Sequence, residues 1–245
     1  MTRRAGAARD STPEAAWAAW PGWLDLPVLD VPHGARVVSV SAHPDDDVLA
    51  VGGLLQELVA RGARVDAVVL TDGEGSHPGS PTLGPDDLRR VRRRESDDAL
   101  AALGLHMTAH RPGLPDSGLH RHPDLAGALA PSLAGADVVL APWRLDGHPD
   151  HEAVGRACAA VTDGRSALWE YPVWAWHWAR PGADDLPWHA AAVVHLDDDQ
   201  RRRKADAVAC FTSQVTPLSS DPRDVAVLPP EVLAHFARPF EVVLR

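Results

Sequence analysis

The sequence has only two cysteines, Cys158 and Cys210, and they form no CxxC pair. Both sit in stretches of helical character and read as buried reduced thiols, which argues against a disulfide framework or a thiolate metal site. No apolar run approaches eighteen residues, and the basic start, MTRRAGAARDST, lacks the apolar stretch of a secretion signal. The expectation is a cytoplasmic protein with no membrane span and a loose first dozen residues. Positive charge is also short: 24 Lys and Arg face 34 Asp and Glu, a formal net charge of −10. That balance speaks against nucleic-acid binding as the main task. The basic runs RRVRRR (residues 89–94) and RRRK (residues 201–204) read as solvated helix faces. There is no internal repeat, and Tyr171 is the sole tyrosine.

The 245 residues suffice for one sizeable α/β domain. In this reading residues 1–30 are an N-terminal extension and residues 190–245 add to the same domain. Short Val/Leu/Ala runs alternate with segments of helical period, which predicts a Rossmann-like three-layer sandwich around a mostly parallel sheet. Strands are expected at 36–42, 64–71, 107–111, 137–142 and 167–172, and helices at 48–61, 85–103, 123–133 and 150–162. Gly62 and Gly104 fall where helix C-caps belong. Beyond these come a strand at 190–196, a charged helix at 197–211 and a closing strand in FEVVLR. PLSSDPRD (residues 217–224) reads as a connection.

Ligands in open α/β sheets bind beyond the carboxyl ends of the strands, so the loops there carry the functional reading. The first holds HPDDD (residues 43–47). One carboxylate suffices to cap a helix, whereas three adjacent ones repel each other unless a cation is bound. His43 and Asp46, three apart across a strand-to-helix turn, can reach one ion. The fourth loop repeats the device as HPDH, with His148 and His151. Two histidines and one carboxylate with open positions describe a catalytic metal site at the C-terminal ends of the strands. Spacing alone leaves open which of His148 and His151 is a ligand and which aspartate is a base.

AHPDDDVLAVGG, TDGEG, the Arg92-x-x-Glu95 helix running to ALAALGL, LPDSGL and DGHPDH occur in one order over about residues 37–161. In these motifs the chain resembles the PIG-L/LmbE family of zinc-dependent N-deacetylases. The resemblance implies zinc on His43, Asp46 and His151, Asp45 as general base, and protonated His148 facing the developing oxyanion. It makes Asp150 the carboxylate that orients a histidine, has Asp47 support the site from its helix where the family usually has Glu, and puts Arg92 and Asp116 in the substrate pocket. Trp143 and Asp146 join the expected substrate-binding residues. Asp146 stands where some members have a tyrosine, so no tyrosine contribution is carried over.

The activity implied is removal of an N-acetyl or related acyl group from an amino sugar in a glycosylated small molecule or lipid. Alternatives are an amidase acting on a larger amide such as a thiol conjugate, Fe2+ or another divalent metal in the same ligand set, and a non-catalytic sugar-binding module. Enzymes resembling this one are often assemblies, which makes a homo-oligomer an expectation. Trp169, Trp174, Trp176 and Trp178 could wall a glycan site or fill the core. Glu74 is a candidate for the pocket, His77 reads as a solvent-facing loop residue, and Gly52 and Gly53 suggest close helix packing.

Overall fold

The computed structural model describes residues 11–107, 109–162 and 164–245. The first ten residues therefore lie outside the described ones. A short helix α1 (Glu14–Ala18) and a 3-10 turn (Pro21–Asp25) lead into β1 (Arg36–Ser41), α2 (Asp46–Ala60), β2 (Arg64–Val69), α3 (Pro85–Ala102) and β3 (Ala109–His110). Next come α4 (Leu125–Leu133), β4 (Val138–Pro142), α5 (Pro149–Thr162), β5 (Ala167–Tyr171) and α6 (Ala175–Trp178). β6 (Ala191–His195), α7 (Asp198–Ala209), α8 (Thr212–Val215), α9 (Pro230–Leu233) and β7 (Phe240–Leu244) complete the chain. One seven-stranded sheet has the order β3-β2-β1-β4-β5-β7-β6. β3 to β5 run parallel, and β7 is antiparallel to both its neighbours.

The β-branched runs form this sheet because both of its faces are covered. Val37 of β1 packs with Val138, Leu140, Leu54 and Leu58 on the side of α2, α3 and α7. Its neighbours Val38 and Val40 pack with Leu129, Leu133, Val154 and Cys158 of α4 and α5. Alternation along a strand buried on both sides places Ser39 and Ser41 on the α2 face, where Ser39 meets Asp47. Cys158 is buried as expected, but Cys210 is only half-buried and bonds a backbone carbonyl.

α2 breaks at Val51, whose φ of −136° is non-helical. Downstream, the amides of Gly53 and Leu54 donate to Glu241 of β7 (2.8 and 2.7 Å), which also takes Lys204 Nζ at 2.7 Å. Glu241 caps the second half of the helix from another strand, leaving the first turn free to take its own direction toward the site. A Cβ on Gly53 would come within 2.3 Å of Leu196, so that glycine is needed for the close packing; Gly52 has ordinary contacts only.

The basic runs are more than solvated faces: Arg92 and Lys204 are buried, and Arg93 grips buried Asp72 through two 2.7 Å bonds. Among the described residues the third strand is Ala109–His110, and Pro112, which has no amide to donate, keeps the ladder from running on beyond it. His77, expected in solvent, is 4% exposed. The 217–224 connection is tied down by Asp224, which accepts from Ser80, Thr82 and Ser219 (all 2.5 Å).

Residues 11–30 pair and pack with the body of the sheet. Val28 bridges Val193 on β6, and Trp17 is fully buried. Trp17 meets Trp23, Trp176 and Trp188, and the Arg238 guanidinium lies 4.6 Å from the Trp176 ring centre. Trp169 and Trp176 thus belong to the core. No helix among the described residues is long and apolar enough to cross a membrane.

Candidate metal centre

Pro44 lies in the turn between the end of β1 at Ser41 and α2, which starts at Asp46, two residues earlier than expected. The three adjacent aspartates thereby face different ways. Asp45 is the N-cap residue by position, yet its side chain makes no capping bond; it pairs with Arg92 Nη2 at 2.9 Å through Oδ1. Asp46 folds back to accept from the amides of Ala42 (3.0 Å) and His43 (2.9 Å). Asp47 turns under the helix to Ser39 Oγ and the Val48 amide. Burial and then the charge of Asp46 push the Asp47 carboxyl up to about 6.

β4 ends one strand over from β1, which places His148, in the following loop, and His151, in the first turn of α5, against the first turn of α2. His151 Nε2 lies 3.2 Å from Asp46 Oδ1 and 3.1 Å from His43 Nδ1, and His43 Nδ1 lies 3.6 Å from Asp46 Oδ2. The far nitrogen of each ring is held by a carboxylate. His43 Nε2 faces Asp116 Oδ1 at 3.2 Å, and His151 Nδ1 faces Asp146 Oδ2 at 2.7 Å. With those outer nitrogens donating, both inner nitrogens present lone pairs to the same point as Asp46.

Three lone pairs converging on one point repel unless a cation sits among them. For bonds of about 2.0–2.1 Å in a tetrahedral site, ligand atoms stand roughly 3.3 Å apart. The separations are of that size, 3.1 Å between the two nitrogens, 3.2 Å from His151 to Oδ1 of Asp46 and 3.6 Å from His43 to its Oδ2, so these residues fit a zinc-sized ion held by either or both oxygens of Asp46. Without one, protons take its place. Burial is the largest single influence and by itself pushes both imidazoles down, but the charge and hydrogen bonds of Asp46, joined by those of Asp116 at His43 and of Asp146 at His151, raise His43 to about 10 and His151 to about 9. Asp46 in turn is held well below the usual carboxylate range: burial opposes this, and the charges of His151 and His43 prevail.

His148 stands beside them, its ring 4.6 Å from that of His151 and 5.0 Å from that of His43. The nitrogens of His43, His148 and His151 come within 4.8 Å of one another, so proximity alone does not exclude His148 as a ligand. Hydrogen bonding distinguishes the two rings: Nδ1 of His151 faces Asp146, whereas that of His148 faces a backbone amide. His148 Nδ1 accepts from the Asp150 amide (3.3 Å), so the neutral ring carries its proton on Nε2 and has no lone pair to spare. Burial and the neighbouring His151 push His148 down to about 3, which favours that neutral donor over the protonated ring expected from sequence.

Several expected substrate residues turn out to be committed elsewhere. Arg92, 3% exposed, is spent on Asp45 and on the Gly73 carbonyl (3.0 Å). Gly73 has φ +67°, and a Cβ there would fall 1.7 Å from Arg92 Nη1, so only glycine admits this clamp. Asp116 backs His43 and accepts from the Gly75 amide (2.8 Å). Asp146, fully buried, takes the amides of Val173, Trp174 and Ala175 as well as His151. Trp143 is 4% exposed and stacks on Trp178. Arg92, Asp146 and Trp143 are thus buried among protein partners, whereas Asp116 is only partly buried.

Asp150 was the expected orienting carboxylate. Its Oδ1 accepts from the Leu119 amide and His120 Nδ1, while its Oδ2 is buried without a hydrogen bond, 3.9 Å from His43 Nε2. Asp146 in the loop after β4 and Asp150 in the first turn of α5 stand only four residues apart, and spacing gave no means to choose between them. Glu74 reaches toward the centre at one remove, accepting from Arg89 (3.1 Å) and the Asp116 amide. Trp174, half-buried, stacks on His148 at 6.4 Å. Tyr171 lies beneath, bonded to the Val40 carbonyl at 2.7 Å.

Residues 38–162, which include all these centre residues except Trp174 and Tyr171, match the family model described as "PIG-L: GlcNAc-PI de-N-acetylase". The chain is 44% identical over 81 residues to the 1D-myo-inositol 2-acetamido-2-deoxy-alpha-D-glucopyranoside deacetylase of Corynebacterium kroppenstedtii, covering 31% of this chain and 21% of that one. The protein of that name from Corynebacterium diphtheriae is 29% identical over 229 residues, with 74% of this chain and 77% of that one covered. Across the first curated relatives it matches, the chain spans from 21% to 56% of their length. Among solved structures, the zinc-inhibited form of teicoplanin deacetylase aligns with a TM-score of 0.57 at 25% identity, covering 74% of this chain and 85% of that one.

Proposed function

Because the chain belongs to the PIG-L family of de-N-acetylases, we propose that it is a zinc-dependent hydrolase that removes an N-acetyl or related acyl group from an amino sugar. The observation that carries the reading is the approach of His43 Nδ1, His151 Nε2 and the Asp46 carboxylate to one another, while the adjacent residue Asp45 is held apart by Arg92. Relatives named as deacetylases of an acetamido sugar joined to inositol support the substrate class. His43, Asp46 and His151 hold the metal. Bound there, zinc would polarise the acyl carbonyl and bring the pKa of an attacking water toward about 7.

The remaining work falls to side chains of this chain. Arg92 fixes Asp45 through Oδ1, leaving Oδ2 to accept the proton of the attacking water. As water adds to the amide carbon, the carbonyl oxygen gains charge, and His148 Nε2–H donates to it. Collapse breaks the C–N bond, and Asp45 returns its proton to the leaving nitrogen, so that acid and free amine depart. Trp174 holds the His148 ring from behind. Incubating metal-loaded protein with N-acetylglucosaminyl glycosides and measuring released acetate tests this. Absence of acetate across the panel, with metal bound, would reject the substrate class.

A further inference from the structure

α6 is four residues long, well below the length at which a helix sustains itself. Both of its ends are tied down. At its start, the amides of Val173, Trp174 and Ala175 donate to Asp146 (2.8, 2.9 and 3.0 Å), the carboxylate that also holds His151 Nδ1. At its end, the unpaired carbonyls are taken by the N-terminal segment. Trp17 Nε1 donates to the Trp176 carbonyl (2.9 Å), the Thr12 amide to that of His177 (2.7 Å), and Thr12 Oγ1 to that of Ala179 (2.7 Å). The segment is itself fastened through Glu14, which pairs with Arg238 (2.6 and 2.7 Å) and His235 (2.7 Å).

Residues 12–17 therefore supply the C-terminal cap that a one-turn helix lacks. We propose that Thr12 and Trp17 are positioning residues of the metal centre: by capping α6 they hold the amides that fix Asp146, and through Asp146 the ring of His151. The same strut carries Trp174 against His148. Neither Thr12 nor Trp17 lies in the family-matched segment, so this support belongs to the chain's own N-terminal region. The inference rests on His151 being a metal ligand and is independent of the substrate.

The test uses the full chain with Trp17→Phe, which removes the indole donor, and Thr12→Val, which removes the hydroxyl at constant shape; Thr12→Ser keeps it. Two quantities are measured well below the melting temperature: hydrogen–deuterium exchange at the amides of residues 173–175, and the zinc dissociation constant by chelator competition. Trp17→Phe should speed exchange at those amides selectively and weaken zinc binding by about 3–10-fold, less than the roughly 10–100-fold expected when a ligand's direct support is removed. Thr12→Val should move both quantities in the same direction, while Thr12→Ser should match wild type. Unchanged zinc affinity in both Trp17→Phe and Thr12→Val, with exchange raised uniformly through β1 and β4 or not at all, would show that the segment is ordinary core and overturn the proposal. Both readouts stand even if no acetylated sugar proves to be a substrate.

Discussion

Replacing Asp146 with asparagine changes no shape and puts the support of His151 to a direct test. The carboxylate accepts four hydrogen bonds in a fully buried place: Val173 N and Ala175 N at Oδ1, Trp174 N and His151 Nδ1 at Oδ2. An asparagine can keep the pair at Oδ1, but its amide NH2 then confronts two donors. In the neutral form that metal binding requires, His151 escapes by carrying its proton on Nε2, the atom that faces Asp46 and His43. That proton occupies the position where the metal would bond. Trp174 N–H is left without an acceptor, costing about 1–3 kcal/mol of stability. Loss of the correct tautomer should weaken metal binding about 10–100-fold, or roughly 1.4–2.7 kcal/mol. Chelator competition gives the affinity and urea unfolding of metal-free protein the stability. A variant that holds zinc within twofold of wild type would refute the tautomer argument, whatever its stability.

Asp45→Asn should keep its metal, measured by elemental analysis, and lose about 10²–10⁴-fold in turnover measured by acetate release. His148→Ala should lower kcat by about 10²–10³-fold with metal content unchanged; a metal-free product would instead make His148 a ligand. Metal uptake should be coupled to protons. The metal-free centre holds His43 at about 10 and His151 at about 9, both above the ordinary histidine value, so at pH 7 each ion bound should release about two protons. Apparent zinc affinity should therefore climb with pH until about 9 to 10. The stability that these protonated rings give the metal-free protein, complete below about 6.5, should fade over that range. Calorimetry in buffers of different ionisation enthalpy counts the protons, and a count near zero at pH 7 would contradict the assigned proton states.

The architecture and the two histidine motifs that make up the candidate metal site were legible in the sequence. Alternating apolar runs sufficed for the parallel strands because β1, β2 and β4 are buried on both faces, and a run such as Val37 to Val40 has few other homes. The paired histidine motifs fell at adjacent strand ends for the same topological reason. Which group supports which lay beyond reach. Asp146 and Asp150 are alike in a linear reading; only the fold carries the amides of residues 173–175 to one of them and leaves the other with an unpaired oxygen. Arg92 looked free for substrate until Gly73 let it close on Asp45. Local pattern determines what residues want to bury or bond. The identity of the partner depends on contacts between residues distant in the chain, and here those contacts decide which charged groups are structural supports and which remain available for chemistry.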